Sequence, residues 1–255
     1  MEKHSSHPTA VADEHVIAGA SLSVNTLTKA ASGIAGLDEI TGGGLPRGRT
    51  TLLLGDSGSG KTILALQFLV HGAERCDEPG IFVTLQENRS QLARVIGRFG
   101  WSIDDPNVTI MDTSPVDLYV DELVYDLLDR INETGARRVV IDSLNDLIVA
   151  APDPARLREF LYSLVQRCAR LGVSLMFTYE TMELFQITRL SELGMSHIAD
   201  NVVLLQHVQD GPQMKRALSV LKSRGSVNSA VISEFKISTD GIILGEPLDL
   251  RRFWG

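Results

Sequence analysis

Residues 55–62 read Gly-Asp-Ser-Gly-Ser-Gly-Lys-Thr, a glycine followed by four residues and then Gly-Lys-Thr. This spacing is the Walker A pattern, in which small residues let the backbone curl so that its N–H groups point inward at phosphate oxygens. Lys61 would place a positive charge against the terminal phosphates, and the Thr62 hydroxyl can ligate Mg²⁺. The predicted nucleotide-binding residues of this loop are Asp56, Ser57, Gly58, Ser59, Gly60, Lys61 and Thr62.

The residues on either side of the loop favour phosphate binding over a chance match of a Gly/Ser-rich loop. Residues 50–54, Thr-Thr-Leu-Leu-Leu, have the composition of a buried strand, and the apolar residues of 63–69 fit a helix. Strand, loop and helix in this order are the context in which a Walker A motif binds phosphate. The positive end of the predicted helix, near Gly60, would face the same anion.

Composition and charge narrow the class of protein. The 255 residues suit one α/β domain or, less readily, two small ones, and a hydrophobic content of 44% is enough for a full core. A net charge of −8 does not suggest a dedicated nucleic-acid or membrane surface, although it does not exclude a local basic patch. No apolar run reaches the length of a bilayer span and residues 1–8 carry no signal-peptide core, so we expect a cytoplasmic protein.

Beyond the loop, apolar strands alternate with helical patterns. The predicted buried strands are 81–85, 108–111, 139–141 and 173–177. Near-continuous apolar strands joined by helices indicate an α/β fold with a mostly parallel sheet and helices on both faces. The pattern changes after residue 198, where short turns separate the strands. These predicted antiparallel additions at one edge are 202–205, 217–221, 231–237 and 242–244.

The same patterns divide the chain into three segments. Residues 1–30 hold scattered Ser, Ala, Thr and His without a lasting period, which is typical of a flexible arm. Residues 31–245 form the predicted P-loop domain, and residues 246–255 form a C-terminal tail. No internal repeat and no second Walker A motif is visible in the sequence, so one domain is the simplest count.

A second motif of nucleotide chemistry lies at residues 138–142, Arg-Val-Val-Ile-Asp. An aspartate at the carboxyl end of a buried strand lies beside the P-loop in this type of sheet, where it can hold the water shell of Mg²⁺. Strands often end in Asp as a cap, so the motif is weak by itself. After a Walker A motif, we predict Asp142 to be a Walker B residue and, with Thr62, a metal ligand.

These motifs together resemble the KaiC family of clock-type ATPases within the RecA-like superfamily. The segments that carry the resemblance are 44–48, the Walker A run, 78–84, 99–101, 141–143, 200–203 and 221–226. They cover about residues 30–245, and their combination is more specific than Walker A alone. The resemblance implies a RecA-like fold, bound ATP and Mg²⁺, and a ring, normally a hexamer, with nucleotide between subunits.

The resemblance also bears on which unit of the family this chain is like. The two-domain clock protein carries two such units in tandem, whereas this chain carries one. Residues 200–203, Asp-Asn-Val-Val, look more like the first, ATPase unit than the second, autokinase unit. Ser196 and His197 lie near the positions at which the autokinase unit carries its phosphorylated residues. Only the serine has a hydroxyl group and no threonine is present there, so autophosphorylation is not expected.

The family's paired glutamates correspond here to Gln86 and Glu87. One member of that pair is a general base that activates water, and an amide cannot take a proton as a carboxylate does. Glu87 matches the second member, so we predict Glu87 as the base, with Gln86 making hydrolysis slow. The alternative is that Glu87 only caps the helix near Ser90. On this resemblance, restoring the pair with Gln86→Glu is expected to raise the ATPase rate.

The segment 222–224 matches a family segment that reaches the γ-phosphate of ATP held by the neighbouring subunit. Lys222 and Arg224 would supply charge in trans, as arginines do in phosphoryl transfer, although an ordinary basic strand end is the alternative. By the same resemblance, Arg98 matches a position near the adenine base, where a solvated arginine is the alternative. The remaining predicted nucleotide contacts of this region are Ser223, Ser226 and Asn228.

The sequence therefore predicts a ring-forming ATPase that hydrolyses ATP slowly and presents its nucleotide state to a signalling partner. A DNA recombination or repair ATPase is the alternative of a different class, because recombinases share the fold. Residues 144–154 contain Asp146 and Asp153 but no Lys or Arg, which argues against a DNA-facing loop. A third hypothesis is a nucleotide sensor that does not hydrolyse ATP, because Gln86 replaces one of the family's paired glutamates.

The first prediction concerns the Walker A lysine. Lys61→Ala removes the charge that is expected to face the terminal phosphates, so we expect loss of ATP binding and, with it, loss of the ring. Size-exclusion chromatography of the variant in the presence of ATP measures both. An unchanged hexamer that still carries ATP would contradict the assignment of Lys61.

Overall fold

The computed structural model describes residues 28–113, 118–181, 198–224 and 231–248. The strands are β1 (Lys29–Ala30), β2 (Leu45–Pro46), β3 (Thr50–Gly55), β4 (Gly80–Thr84), β5 (Val108–Asp112), β6 (Arg138–Asp142), β7 (Ser174–Glu180), β8 (Asn201–Asp210), β9 (Gln213–Ser223), β10 (Ile232–Ser238) and β11 (Gly241–Pro247). The helices are α1 (Ala35–Ile40), α2 (Lys61–Arg75), α3 (Arg89–Gly97), α4 (Val120–Thr134), α5 (Leu144–Ala150) and α6 (Pro154–Leu171).

Nine of these strands form one sheet in the order β11-β10-β9-β8-β3-β7-β6-β4-β5. The five pairings from β8 to β5 are parallel, and β9, β10 and β11 add to β8 in antiparallel fashion. Strand β3, which precedes the Walker A loop, lies inside the sheet between β8 and β7. The predicted fold class, a mostly parallel α/β sheet with C-terminal antiparallel strands, is confirmed.

One detail of the predicted sheet is wrong. Residues 202–205 were expected to begin the antiparallel part, but they lie in β8, which runs parallel to β3 with Leu52 opposite Val202 and Leu54 opposite Leu204. The antiparallel additions therefore begin with β9. Strand direction depends on how the chain returns to the sheet after β7, and the apolar pattern of the strand itself does not record that direction.

Helices cover both faces of the sheet, and the alternation of strand side chains produces two separate apolar cores. Leu52 and Leu54 pack with residues of α4, α5 and α6, whereas Leu53, between them, packs with residues of α1, α2 and α3. Strand β6 divides in the same way, with Val140 on the face opposite to its two neighbours. This period of two makes a strand that is buried on both sides read as a continuous apolar run.

A buried ion pair holds the start of the domain against the core. Arg138 is fully buried, and its Nε donates a 2.6 Å hydrogen bond to Glu78 Oε2. Its Nη1 donates to the carbonyls of Phe68 and Ala31 at 2.6 and 2.8 Å, and its guanidinium lies 4.4 Å from the centre of the Phe68 ring. Glu78 also pairs with Arg47. One arginine therefore links β6, α2 and the residues after β1.

The structure describes only the last residues of the predicted N-terminal arm and the first residues of the predicted C-terminal tail. Lys29 and Ala30, the last residues of the predicted arm, form β1 and pair with β2, and the last strand ends at Pro247. Residues 1–27 and 249–255 lie outside the described residues. Within the part of the chain that the structure describes, none of the helices has the length and apolar character needed to cross a bilayer.

The buried ion pair gives the second prediction, which concerns stability. Glu78→Gln leaves the Arg138 charge buried without its counter-ion, so we expect a loss of about 3–5 kcal/mol in the free energy of unfolding. Urea denaturation measures it. The matched control is Glu133→Gln, which removes an exposed partner of Arg130 and should cost no more than about 0.5 kcal/mol. Equal losses in the two variants would contradict the account of Arg138.

Candidate nucleotide site

The Walker A loop joins the end of β3 to the start of α2, as the sequence predicts. Gly60 has a φ of 108°, a left-handed conformation that favours glycine, and no side chain of the described residues caps the first N–H groups of α2. Gly55 lies so close to β8 that a Cβ there would be 2.1 Å from the Leu205 carbonyl oxygen. The glycines thus allow a tight turn whose helix end offers unpaired N–H groups to an anion.

Lys61 lies beneath this loop with its side chain almost fully buried. Its Nζ donates hydrogen bonds to the carbonyls of Gly55 and Asp56 at 3.0 and 2.8 Å and is 4.0 Å from Glu180 Oε2. Burial lowers the pKa of Lys61, and the charges of Glu180, Asp142 and Asp56 oppose that shift. These neighbouring charges favour the protonated form of Lys61, and a buried ammonium makes strong charge-assisted hydrogen bonds to anionic oxygens.

Asp142, at the end of β6, receives hydroxyl hydrogen bonds from two neighbouring elements. Thr62 Oγ1, on α2, donates to Oδ2 at 2.7 Å, and Thr178 Oγ1, on β7, donates to Oδ1. Burial raises the pKa of Asp142, while the hydrogen bonds from Thr178 and Thr62 and the charge of Lys61 oppose that rise. The two residues predicted to hold the metal therefore meet in the structure. Thr178 was not predicted, because only the pairing of β7 with β6 brings it there.

Glu87 follows β4, whose last residue, Thr84, lies opposite Asp142 in the sheet. Among the described residues Glu87 Oε2 is buried without a hydrogen-bond partner. Burial raises the pKa of the Glu87 carboxyl, and the charge of Asp142 raises it further. The capping alternative is wrong, because Asn88 caps α3 by accepting a hydrogen bond from the Gln91 N–H.

These groups surround one cavity of about 410 Å³. The sequence-predicted residues that line it are Ser57, Gly58, Gly60, Lys61, Thr62, Gln86, Glu87, Arg98 and Asp142. The polar lining residues that sequence reasoning missed are Thr84, Ser143, Asp146, Glu180 and Arg216. They come from five different strands, helices or loops. The sheet order brings Thr84, Glu180 and Arg216 to the site, whereas Ser143 and Asp146 closely follow Asp142 in the sequence.

Two loop residues contact protein rather than the cavity. Asp56 Oδ2 accepts a 3.2 Å hydrogen bond from the His207 N–H and lies 3.8 Å from His207 Nδ1, so its carboxylate faces β8. Ser59 is fully buried, and its Oγ has no partner in the part of the chain that the structure describes. Asp56 therefore helps to hold the loop against the sheet, and Ser59 offers an unsatisfied hydroxyl.

The predicted trans segment lies away from this cavity. Ser223, at the end of β9, pairs with Asn201 at the start of β8, whereas the P-loop is next to Leu205 farther along β8. Lys222 Nζ donates a 2.7 Å hydrogen bond to the Ala199 carbonyl, and Arg224 Nη1 is 3.6 Å from Asp200 Oδ1. Strand β9 is an interior strand, so the three residues lie at the end of a strand and not on the sheet's outer strand. Ser226 and Asn228 lie outside the described residues.

The chemistry of the cavity fits a nucleotide with Mg²⁺. Two buried side-chain atoms of its lining have no hydrogen-bond partner within the described ranges, Arg216 Nε, which suits an anion, and Glu87 Oε2. Thr62 and Asp142 supply oxygen ligands, the type that Mg²⁺ prefers. No cluster of three or more His, Cys, Asp or Glu side chains in the described ranges could hold a metal by itself.

Comparison with known proteins agrees with this geometry. A family model described as "ATPase: KaiC" matches residues 30–249. The chain belongs to the KaiC family of ATPases. The circadian clock oscillator protein KaiC of Rippkaea orientalis is 38% identical over 223 residues, and the same protein of Synechococcus elongatus is 36% identical. Each alignment covers 82% of this chain but only 42% of the relative, so the chain spans less than half of these KaiC proteins.

A solved structure extends the likeness to a shorter member of the family. The crystal structure of a KaiC-like protein from Pyrococcus horikoshii matches with a TM-score of 0.75 and 30% identity. The match covers 86% of this chain and 100% of that chain. The comparison supports the resemblance read from the motifs, namely a single KaiC-like unit with a RecA-like fold.

The third prediction follows from the raised pKa of Glu87. A raised pKa means that the folded chain binds this proton more tightly than the unfolded chain, so stability is lost as pH rises through the titration of the carboxyl. Glu87→Gln should therefore raise the melting temperature at neutral pH. The gain should vanish below the ordinary pKa of a glutamate, where both states of the wild-type residue are protonated. Calorimetry at pH values from 4 to 8 measures it; a variant less stable than wild type at neutral pH contradicts the burial of this charge.

Proposed function

We propose that this chain binds ATP with Mg²⁺ and hydrolyses ATP slowly in a ring whose sites are completed by the next subunit. The observation that carries the proposal is the meeting in one cavity of Lys61, the Thr62–Asp142 pair and Glu87, whose Oε2 has no hydrogen-bond partner among the described residues. Lys61 and the loop N–H groups would hold the phosphates. Thr62 and Asp142 would hold Mg²⁺, which neutralises charge that develops on the phosphates.

Glu87 is the group in this site best suited to take a proton from water. A base works best when its pKa approaches the working pH, and burial and Asp142 both shift Glu87 in that direction. Gln86 also lines the cavity, but its amide has no basic site. One carboxylate base where the family has a pair supports slow turnover. The non-hydrolysing sensor remains the outcome in which Glu87 cannot activate water.

Lys222 and Arg224 support a site shared between subunits. Neither lines the cavity of its own chain, and both lie near the start of β8, whereas the P-loop lies beside Leu205, farther along that strand. The Arg224 side chain is 59% exposed, beyond hydrogen-bond distance from Asp200, so it can reach another molecule. In a ring, burial against the next subunit's γ-phosphate would make each charge-assisted contact strong.

A regulatory role is the use that we propose for this ATPase. The curated relatives are named circadian clock oscillator proteins, which is a signalling role, although this chain spans less than half of their length. We propose that its nucleotide state alters a surface read by a signalling partner. The DNA-binding alternative is less well supported, because residues 144–154, which include α5, carry no Lys or Arg.

The fourth prediction tests the shared site. Lys61→Ala removes the phosphate-binding charge and Arg224→Ala removes the charge supplied in trans, so each variant alone should lose most ATPase activity. Arg224→Ala should still bind ATP, because Arg224 lies outside its own cavity. A mixture of the two variants should regain part of the activity, because some interfaces combine an intact Lys61 with an intact Arg224.

The assay is phosphate release from the mixed rings, with ring formation followed by size-exclusion chromatography. The matched control is Arg170→Ala mixed with Lys61→Ala, since Arg170 is exposed in the last turn of α6 and should itself remain active. If Lys61→Ala and Arg224→Ala assemble together and stay inactive, Arg224 does not act in trans.

A further inference from the structure

The mouth of the nucleotide cavity contains a carboxylate that neither Walker motif accounts for. Asp146, in the first turn of α5, accepts a 2.6 Å hydrogen bond from Gln86 Nε2 at its Oδ1. Its Oδ2 accepts from both the hydroxyl and the backbone N–H of Ser143, the latter at 3.2 Å. Both carboxylate oxygens are therefore engaged, and Asp146 acts as a fixed acceptor.

This contact determines how the amide of Gln86 is turned. A carboxylate can only accept hydrogen bonds, so the Gln86 group that faces Asp146 must be the NH₂ group. The other end of the amide, Oε1, is then left as an acceptor for other partners. Gln86, Glu87 and Asp146 all line the same cavity, so the residue that carries this oxygen lies on the cavity wall with the candidate base.

We propose that Asp146 is a positioning residue that fixes the Gln86 carboxamide as an acceptor for the attacking water next to Glu87. The proposal rests on the ATP hydrolysis proposed above. The water would give one proton to Glu87 and donate its other hydrogen in a hydrogen bond to Gln86 Oε1, while its oxygen bonds to the γ-phosphorus and ADP leaves. A glutamine that orients water is an established device in phosphoryl transfer.

With Asp146 beside residue 86, Gln86→Glu should lower the ATPase rate, the opposite of the increase expected from the family resemblance. The introduced carboxylate would lie at hydrogen-bond distance from the Asp146 carboxylate, with Glu87 and Asp142 on the same cavity wall. Two carboxylates so close cannot both ionise without a large cost, so the variant should lose activity and stability at neutral pH. Asp146→Asn in the same chain should relieve the repulsion, because the new amide can donate to the introduced carboxylate.

The fifth prediction is a double-mutant cycle on the full chain with Gln86→Glu, Asp146→Asn and both together. We expect kcat to fall by about 10–100-fold in each single variant, with little change in KM, and to recover in the double variant. The melting temperature gives a second readout. Asp146 would raise the pKa of the introduced carboxyl, so the folded variant loses stability as rising pH ionises that group. The melting temperature of Gln86→Glu should therefore fall progressively below that of wild type from pH 5 to pH 8. The double variant should not.

The matched control is Asp153→Asn, which alters the aspartate that caps α6 by accepting from the Ala155 N–H, outside the nucleotide cavity. It should leave kcat unchanged. The proposal is overturned if Gln86→Glu speeds hydrolysis while Asp146 is present, or if the double variant is no better than Gln86→Glu. It is also overturned if Asp146→Asn lowers the melting temperature but leaves kcat unchanged, since that result would mean that Asp146 only stabilises the start of α5. A wild-type chain without ATPase activity would defeat the proposed function itself, and the melting data would still report whether the two side chains are coupled.

Discussion

The buried carboxylate of Asp142 is the point at which the sheet and the nucleotide loop are joined. Hydrogen bonds from Thr62 and Thr178 bring α2 and β7 to the end of β6, and the sheet register places Thr84 of β4 opposite the same residue. Three consecutive strands of the sheet and the helix after the P-loop therefore share one anchor. Because a carboxylate is also a ligand type that Mg²⁺ prefers, the geometry that stabilises the fold is the geometry that would hold the proposed Mg²⁺.

Two buried charge clusters in this chain show why a perturbed charge alone does not identify a functional site. Arg138 is fully buried and is surrounded by Glu78, two backbone carbonyls and the Phe68 ring. Neither Arg138 nor Glu78 lines the nucleotide cavity. At the P-loop, burial raises the pKa of Glu87, whose Oε2 has no partner among the described residues, and the cavity lies next to it. The first cluster is closed off within the fold, with Arg138 paired to Glu78 although its Nη2 has no hydrogen-bond partner among the described residues. The second borders a cavity in which a ligand can reach the unpaired group.

The sequence predicted the parts of this site that local patterns encode. The Walker A loop, the aspartate at the end of β6 and the alternation of strands and helices can all be read from short segments. It did not predict Glu180 or Arg216, which line the cavity only through the pairing order of distant strands, or Asp146, which lines it from the start of α5. Nor did it predict Thr178, which contacts Asp142 through the pairing of β7 with β6. The direction of β8 was missed for the same reason, since an apolar run looks alike in parallel and antiparallel pairing.

Native mass spectrometry of the chain with ATP and Mg²⁺, followed over time, tests the central claim most directly, because it reports assembly, occupancy and turnover in one spectrum. The account predicts a ring, a hexamer by its family resemblance, that carries one nucleotide for each subunit and whose bound ATP is slowly replaced by ADP. A chain that stays monomeric and free of nucleotide at saturating ATP would contradict it. Rings that retain ATP indefinitely would contradict the catalytic part and leave a nucleotide sensor.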